Sequence, residues 1–149
     1  MVSAYEYARE KHEGQTYPRL HEEWDFIEHC VSVADGFSRL NQPNGDYDVE
    51  LYQAAMLHDV VEDSDATLDD IGRMFGKRVA DIVDRLTRRS NETYREYIER
   101  VSLDTDATAI KLADLGFNIY HLLRPDVPTD KLSLLTRYLD AVRVLNRHK

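Results

Sequence analysis

Ala54-Ala55-Met56-Leu57-His58-Asp59-Val60-Val61-Glu62-Asp63 sets four ionisable side chains into a run that is otherwise small or apolar. With its flanks it reads as one helix, Asp48 to Val61, whose Leu51, Ala54, Ala55, Met56 and Leu57 belong in a core. If the helix carries on past Val61, His58 shares a face with Glu62 and Asp59 shares one with Asp63, four positions apart. Burying imidazole and carboxylate beside Leu57, Val60 and Val61 is costly unless positive charge compensates, and a divalent cation is the most economical source.

Outward from this stretch the period stays helical, and no apolar/polar alternation runs long enough for a sheet. The expected fold class is therefore all-α. A first helix is predicted over Ser3 to Glu13, then a loop through Gly14, Tyr17, Pro18 and Arg19. A second helix carries Trp24, Phe26, Ile27, Cys30, Val31, Val33, Ala34, Phe37 and Leu40 on one broad arc, and Asn41 to Asp46 stops it with turn chemistry. Thr67-Leu68-Asp69-Asp70 caps a short helix that ends at Gly76. Further helices follow over Arg78 to Arg88 and through Tyr94, Tyr97, Ile98 and Val101. After a break at Leu103 to Asp106 come Ala107 to Leu122 and, past Pro125 and Pro128, a closing amphipathic helix from Asp130 to Asn146.

Two more polar residues interrupt apolar helices: His29 in the second, and Asp114, with Lys111 beside it and Asn118 one turn further on. Alone, each has an ordinary explanation. A core histidine can be a satisfied hydrogen-bonding residue, Asp114 can pair with Lys111, and Glu62-Asp63-Ser64-Asp65 can be a solvated turn. Jointly, His29, His58, Asp59 and Asp114 offer two imidazoles and two carboxylates, a mixed nitrogen and oxygen set suited to manganese or another first-row divalent ion.

The bulk numbers bound the remaining choices. A chain of 149 residues is the size of one domain, expected to span 1–149, with 42% hydrophobic and 32% charged residues. No run approaches the roughly 20 apolar residues of a membrane span, and the N-terminus lacks the pattern of a secretory signal, so a soluble cytoplasmic protein with no membrane association is expected. The formal net charge of −9 disfavours nucleic-acid partners. Cys30, the single cysteine, reads as a core thiol, because its neighbour His29 points to a different helical face. Oligomeric state is not legible.

Three ordered motifs resemble the HD-domain phosphohydrolases, and within them the hydrolase domain that degrades guanosine tetra- and pentaphosphate. Tyr7-Ala8-Arg9-Glu10-Lys11-His12-Glu13-Gly14-Gln15 followed by Phe26-Ile27-Glu28-His29 resembles that family's opening helix and first metal histidine. Met56 to Leu68 is similar to its central signature, and Ile110-Lys111-Leu112-Ala113-Asp114 with Asn118 to its late one. The chain departs from the family at Cys30, which stands in place of a proline, in the loop Tyr17 to Trp24, and at Leu115-Gly116-Phe117.

The resemblance implies an HD-domain helical bundle that binds a small nucleotide, with His29, His58, Asp59 and Asp114 as metal ligands. It implies that Glu62 and Asp63 handle the attacking water, the two roles left undivided, and that Asn118 contacts nucleotide. Lys11, Arg19, Lys111 and Arg88 or Arg89 are candidate phosphate clamps, of which Lys111 gains most from its neighbours. The expected activity is manganese-dependent release of pyrophosphate from the 3′ position of a guanosine polyphosphate, without a synthetase domain, for which the chain is too short. Two readings compete: another nucleotide phosphohydrolase, and a nucleotide-binding regulatory domain without turnover.

Overall fold

A computed structural model describes residues 1–17, 21–41 and 47–147. In chain order the elements are α1 (Ala4–Lys11), β1 (Thr16–Tyr17), β2 (His21–Asp25), α2 (Phe26–Asn41), α3 (Val49–Met56), α4 (Val60–Asp63) and α5 (Leu68–Phe75). They continue with α6 (Lys77–Leu86), α7 (Tyr94–Val101), α8 (Thr105–Leu122), a 3-10 turn (Thr129–Leu132) and α9 (Ser133–Leu145). The fold is all-α, as the period predicts. None of the described helices is long and apolar enough to cross a membrane.

Polar residues at the starts set the helix boundaries. Ser3 and Thr93 each accept the backbone N–H three residues on, while Glu6 and Glu96 reach back to the cap nitrogen, so α1 and α7 open with complete capping boxes. Asp48 and Asp104 cap α3 and α8 in the same one-sided way that Thr67 caps α5. Gly76 separates α5 from α6 at φ +97°, a backbone conformation that a residue with a Cβ resists. The expected stop at Asn41 to Asp46 lies, beyond Asn41, outside the described residues.

Two features differ from the sequence reading. The loop after α1 contains a two-stranded antiparallel hairpin, Thr16 facing Asp25 with an irregular register before Tyr17, so Trp24 lies on β2 and not on the second helix. A strand of two residues is too short to leave an alternating pattern. More consequentially, the single helix expected over 48–61 is broken. Leu57 leaves the helical ladder at φ −99°, ψ 5°, and α4 restarts at Val60. The carbonyl of Ala55, which an unbroken helix would offer to the Asp59 N–H, is met instead by the His58 backbone N–H at 3.5 Å and by His58 Nδ1 at 2.7 Å. The histidine that ends the helix is the one that belongs to the cluster.

The core is continuous. Phe37 on α2, Met56 and Leu57 around α3, Ile71 on α5, Ile98 on α7, Ile110, Leu115 and Leu122 on α8 and Leu145 on α9 are essentially inaccessible. The long helices α2 and α8 pack against each other, and α3 lies on α2. Polar side chains on the facing surfaces of these three segments must therefore meet.

Candidate metal centre

His29 lies in the first turn of α2, His58 and Asp59 in the break between α3 and α4, and Asp114 midway along α8. Packing brings the four together, with one prospective ligand atom from each lying within 4.8 Å of all the others. His29 Nε2 is 3.1 Å from Asp114 Oδ1 and 3.5 Å from Asp59 Oδ2, while His58 Nε2 is 2.9 Å from Asp59 Oδ2 and 3.6 Å from Asp114 Oδ1. His29, His58 and Asp114 are buried.

A carbonyl only accepts, so the His58 Nδ1 facing Ala55 carries a proton, and in the neutral ring the Nε2 lone pair points at the carboxylates. That nitrogen is buried and lacks a well-formed hydrogen bond. An imidazole lone pair held against two carboxylates is repulsive until positive charge enters, either as a proton on the ring or as a cation between the groups. Burial by itself would push both imidazoles down in pKa. The carboxylates outweigh it, so His29 is held above the ordinary histidine value and His58 well above it. Burial would likewise push the two acids up, yet His58 and His29 hold Asp59 far below the carboxylate range, and Lys111 with the histidines does the same for Asp114. The cluster thus demands positive charge, and its donors are compatible with a divalent metal ion.

Lys111 supplies part of that charge. Its ammonium lies 2.7 Å from Asp114 Oδ2 and 5.4 Å from the centre of the Tyr97 ring, in a buried setting. Asn118 donates through Nδ2 to Asp114 Oδ1 at 3.0 Å. Its amide oxygen accepts from the hydroxyl of Tyr17, whose ring stacks on His29 at 4.8 Å and 21°. The hairpin therefore braces two of the four clustered residues.

The cluster opens into a cavity of about 520 Å³, whose wall includes His29, Asp59 and Asp114. Glu62 and Asp63 line it too. The Glu62 carboxylate accepts from the Arg88 backbone N–H, and partial withdrawal from water in the cavity wall, with Asp59 nearby, pushes its pKa up. Gln15 reaches across to donate to the Asp63 carbonyl at 2.7 Å and lies 2.9 Å from His12 Nδ1, tying α1 to α4.

The other predicted residues divide. Lys111 and Asn118 line the cavity, but both are engaged with Asp114. Lys11 is instead paired with Asp65 at 2.8 Å, away from the described cavity wall. Arg19 lies outside the described residues. Arg88 lines the cavity, whereas Arg89 faces Asp84 at 3.5 Å. Cys30 is buried, and burial pushes its thiol well up, in keeping with a core role. Sequence reasoning missed Gln15, Tyr17, Tyr97 and Arg137 in the wall. Tyr17 stood among loop residues, and Arg137 fell within the closing amphipathic helix without being singled out. A resemblance resting on motifs that end at Asn118 offered no signal for α9.

The chain is similar to several known proteins. Residues 4–115 match the family described as HD domain. The bifunctional (p)ppGpp synthase/hydrolase SpoT of Escherichia coli strain K12 is 39% identical over 136 residues, covering 83% of this chain and 18% of that protein. The guanosine-3′,5′-bis(diphosphate) 3′-pyrophosphohydrolase MESH1 of Danio rerio is 34% identical over 130 residues, covering 83% of this chain and 69% of that one. A solved structure of a metazoan ortholog of SpoT, described as hydrolyzing ppGpp and playing a role in starvation responses, aligns with a TM-score of 0.78 at 27% identity. That alignment covers 97% of this chain and 84% of the other. The chain spans only 18% of the length of the first bacterial relatives.

Proposed function

The chain belongs to the HD-domain family, and from that premise we propose that it is a metal-dependent phosphohydrolase that releases pyrophosphate from the 3′ position of guanosine 3′,5′-bis(diphosphate). The observation that carries the reading is the convergence of His29, His58, Asp59 and Asp114 at the wall of a cavity also lined by Glu62 and Asp63. Relatives carrying the name of that activity support the choice of substrate. Residues 1–149 act in this reading as one catalytic domain in the cytoplasm.

The four clustered residues would hold the ion, and among first-row divalent ions manganese suits two imidazoles with two carboxylates. When bound, the ion supplies Lewis acidity toward a phosphoryl oxygen and acidifies a water. The protein's own groups do the rest. Glu62, its pKa raised by partial withdrawal from water and its carboxylate aimed by the Arg88 N–H, takes the proton of the attacking water. Asp63, its backbone clamped by Gln15, orients that water. Attack at phosphorus breaks the bond to the 3′ oxygen, which takes up a proton, and the products are pyrophosphate and guanosine 5′-diphosphate. Lys111 keeps Asp114 ionised and Asn118 fixes its orientation. Lys11 and Arg19 remain proposed phosphate contacts, Lys11 on condition that it leaves Asp65.

Incubating manganese-loaded protein with guanosine 3′,5′-bis(diphosphate) and a panel of nucleoside mono-, di- and triphosphates tests the reading. Pyrophosphate release from the first compound is expected. Turnover confined to the panel would replace it with another nucleotide phosphohydrolase, and nucleotide binding without turnover of any compound would leave a regulatory domain.

A further inference from the structure

One part of the cavity wall is chemically unlike the four-residue cluster. It is built by Arg88 from the α6–α7 loop, Tyr94 at the start of α7, and Arg137 and Tyr138 on α9. Both guanidinium groups lie over the Tyr94 ring, Arg137 at 4.8 Å and Arg88 at 5.9 Å from its centre. Such stacking holds the planar cations in place without neutralising them.

Neither arginine meets a carboxylate among the described residues. The Arg88 side chain donates only to the Glu92 carbonyl, at 3.1 and 3.3 Å, and Arg137 forms no ion pair or hydrogen bond there. In a chain with 28 acidic and 19 basic residues, where Arg78, Arg85, Arg95 and Arg100 are all paired, two uncompensated cations in one cavity are conspicuous. The Tyr94 hydroxyl adds a third unmet group, buried and without a hydrogen-bond partner. Two guanidinium forks and a phenol donor around one space match a phosphate or diphosphate, which accepts bidentate hydrogen bonds from arginine and one more from a hydroxyl.

We propose that Arg88, Tyr94 and Arg137 form a second anion subsite that takes the terminal diphosphate of a nucleotide whose other phosphorylated arm lies at the metal centre. The assignment rests on the function proposed above for which arm is cleaved, making the 5′-diphosphate the group held here. It gives α9, which lies beyond the residues matched to the family, a direct part in selecting substrates with two separated anionic arms.

Isothermal titration of the full-length metal-loaded protein with guanosine 5′-diphosphate, which has no 3′ arm, and with guanosine tests the subsite apart from catalysis. The diphosphate should bind more tightly than the nucleoside. Arg137→Gln and Arg88→Gln, both at exposed positions, should each weaken its binding about tenfold, as loss of one charge-assisted contact does, while leaving guanosine unchanged. Tyr94→Phe should weaken it less. Equal affinity for the two compounds, or full affinity for the diphosphate in Arg137→Gln, would overturn the subsite. If the diphosphate result holds but guanosine 3′,5′-bis(diphosphate) is not cleaved, the function reading fails and the subsite stands.

Discussion

Asp114 is held by more partners than any other residue of the cluster. Lys111 and Asn118 fix its two oxygens, while His29 approaches from α2 and His58 from the α3–α4 break. Lys111→Met removes the lysine's charge and leaves a buried acid beside Asp59. Breaking one side of a buried ion pair costs about 3 kcal/mol or more, so chelator-treated Lys111→Met should unfold at markedly lower denaturant than chelator-treated wild type. Added metal should recover part of the loss. Asp59→Asn keeps the shape but removes one charged donor, so it should abolish metal retention, read by elemental analysis, and turnover with it. A variant that retained a full equivalent of metal would place the ion elsewhere.

At the scale of the element, α7 and the loop before it depend on ionised groups. Glu92 receives Arg100 through two nitrogens, at 2.5 and 3.0 Å, and also the Arg89 N–H, and Arg100 above all lowers its pKa to about 2. A carboxyl with a depressed folded pKa adds stability that is complete above its unfolded value and fades as pH falls toward the folded one. Wild type should therefore exceed Glu92→Gln in urea midpoint at pH 7, and the two should converge between about pH 4.5 and pH 2. A constant gap across that range would mean that the contribution is packing and not charge.

Elements were largely legible from the chain, because the apolar period and the caps at Ser3, Thr67 and Thr93 are local signals. The break after Met56 was not, because it arises from the His58 side chain taking a carbonyl, a choice that propensity does not encode. Of the candidate site, the four clustered residues could be picked out because each is a polar interruption of an apolar helix. Tyr17 and Arg137 could not, since a loop tyrosine and a surface arginine look ordinary until tertiary packing sets them against His29 and Tyr94. Lys11 shows the converse. A cation inside a recognisable motif is spoken for by Asp65, 54 residues away.

For the whole molecule, a formal charge of −9 means that folding concentrates negative charge, and Asp59 and Asp114 are two carboxylates it brings together. A divalent ion bound only by the native state should raise the melting temperature. At a free concentration a hundredfold above Kd the gain is about 2.7 kcal/mol, or roughly 5–10 °C for a chain of this size. Calorimetry with and without manganese should show this in wild type and not in Asp59→Asn.

The prospective ligands stand at positions 29, 58, 59 and 114, carried by α2, the α3–α4 break and α8. Only the adjacent pair at 58 and 59 is close along the chain, so a nascent or fragmented polypeptide has no local stretch able to assemble the full set. Closing the loops between these positions is slow and entropically costly, and it is completed only as the helices that carry them dock. Capture of the ion therefore reports late, global folding, and its off-rate in a stressed or mutant chain would measure how often these segments part.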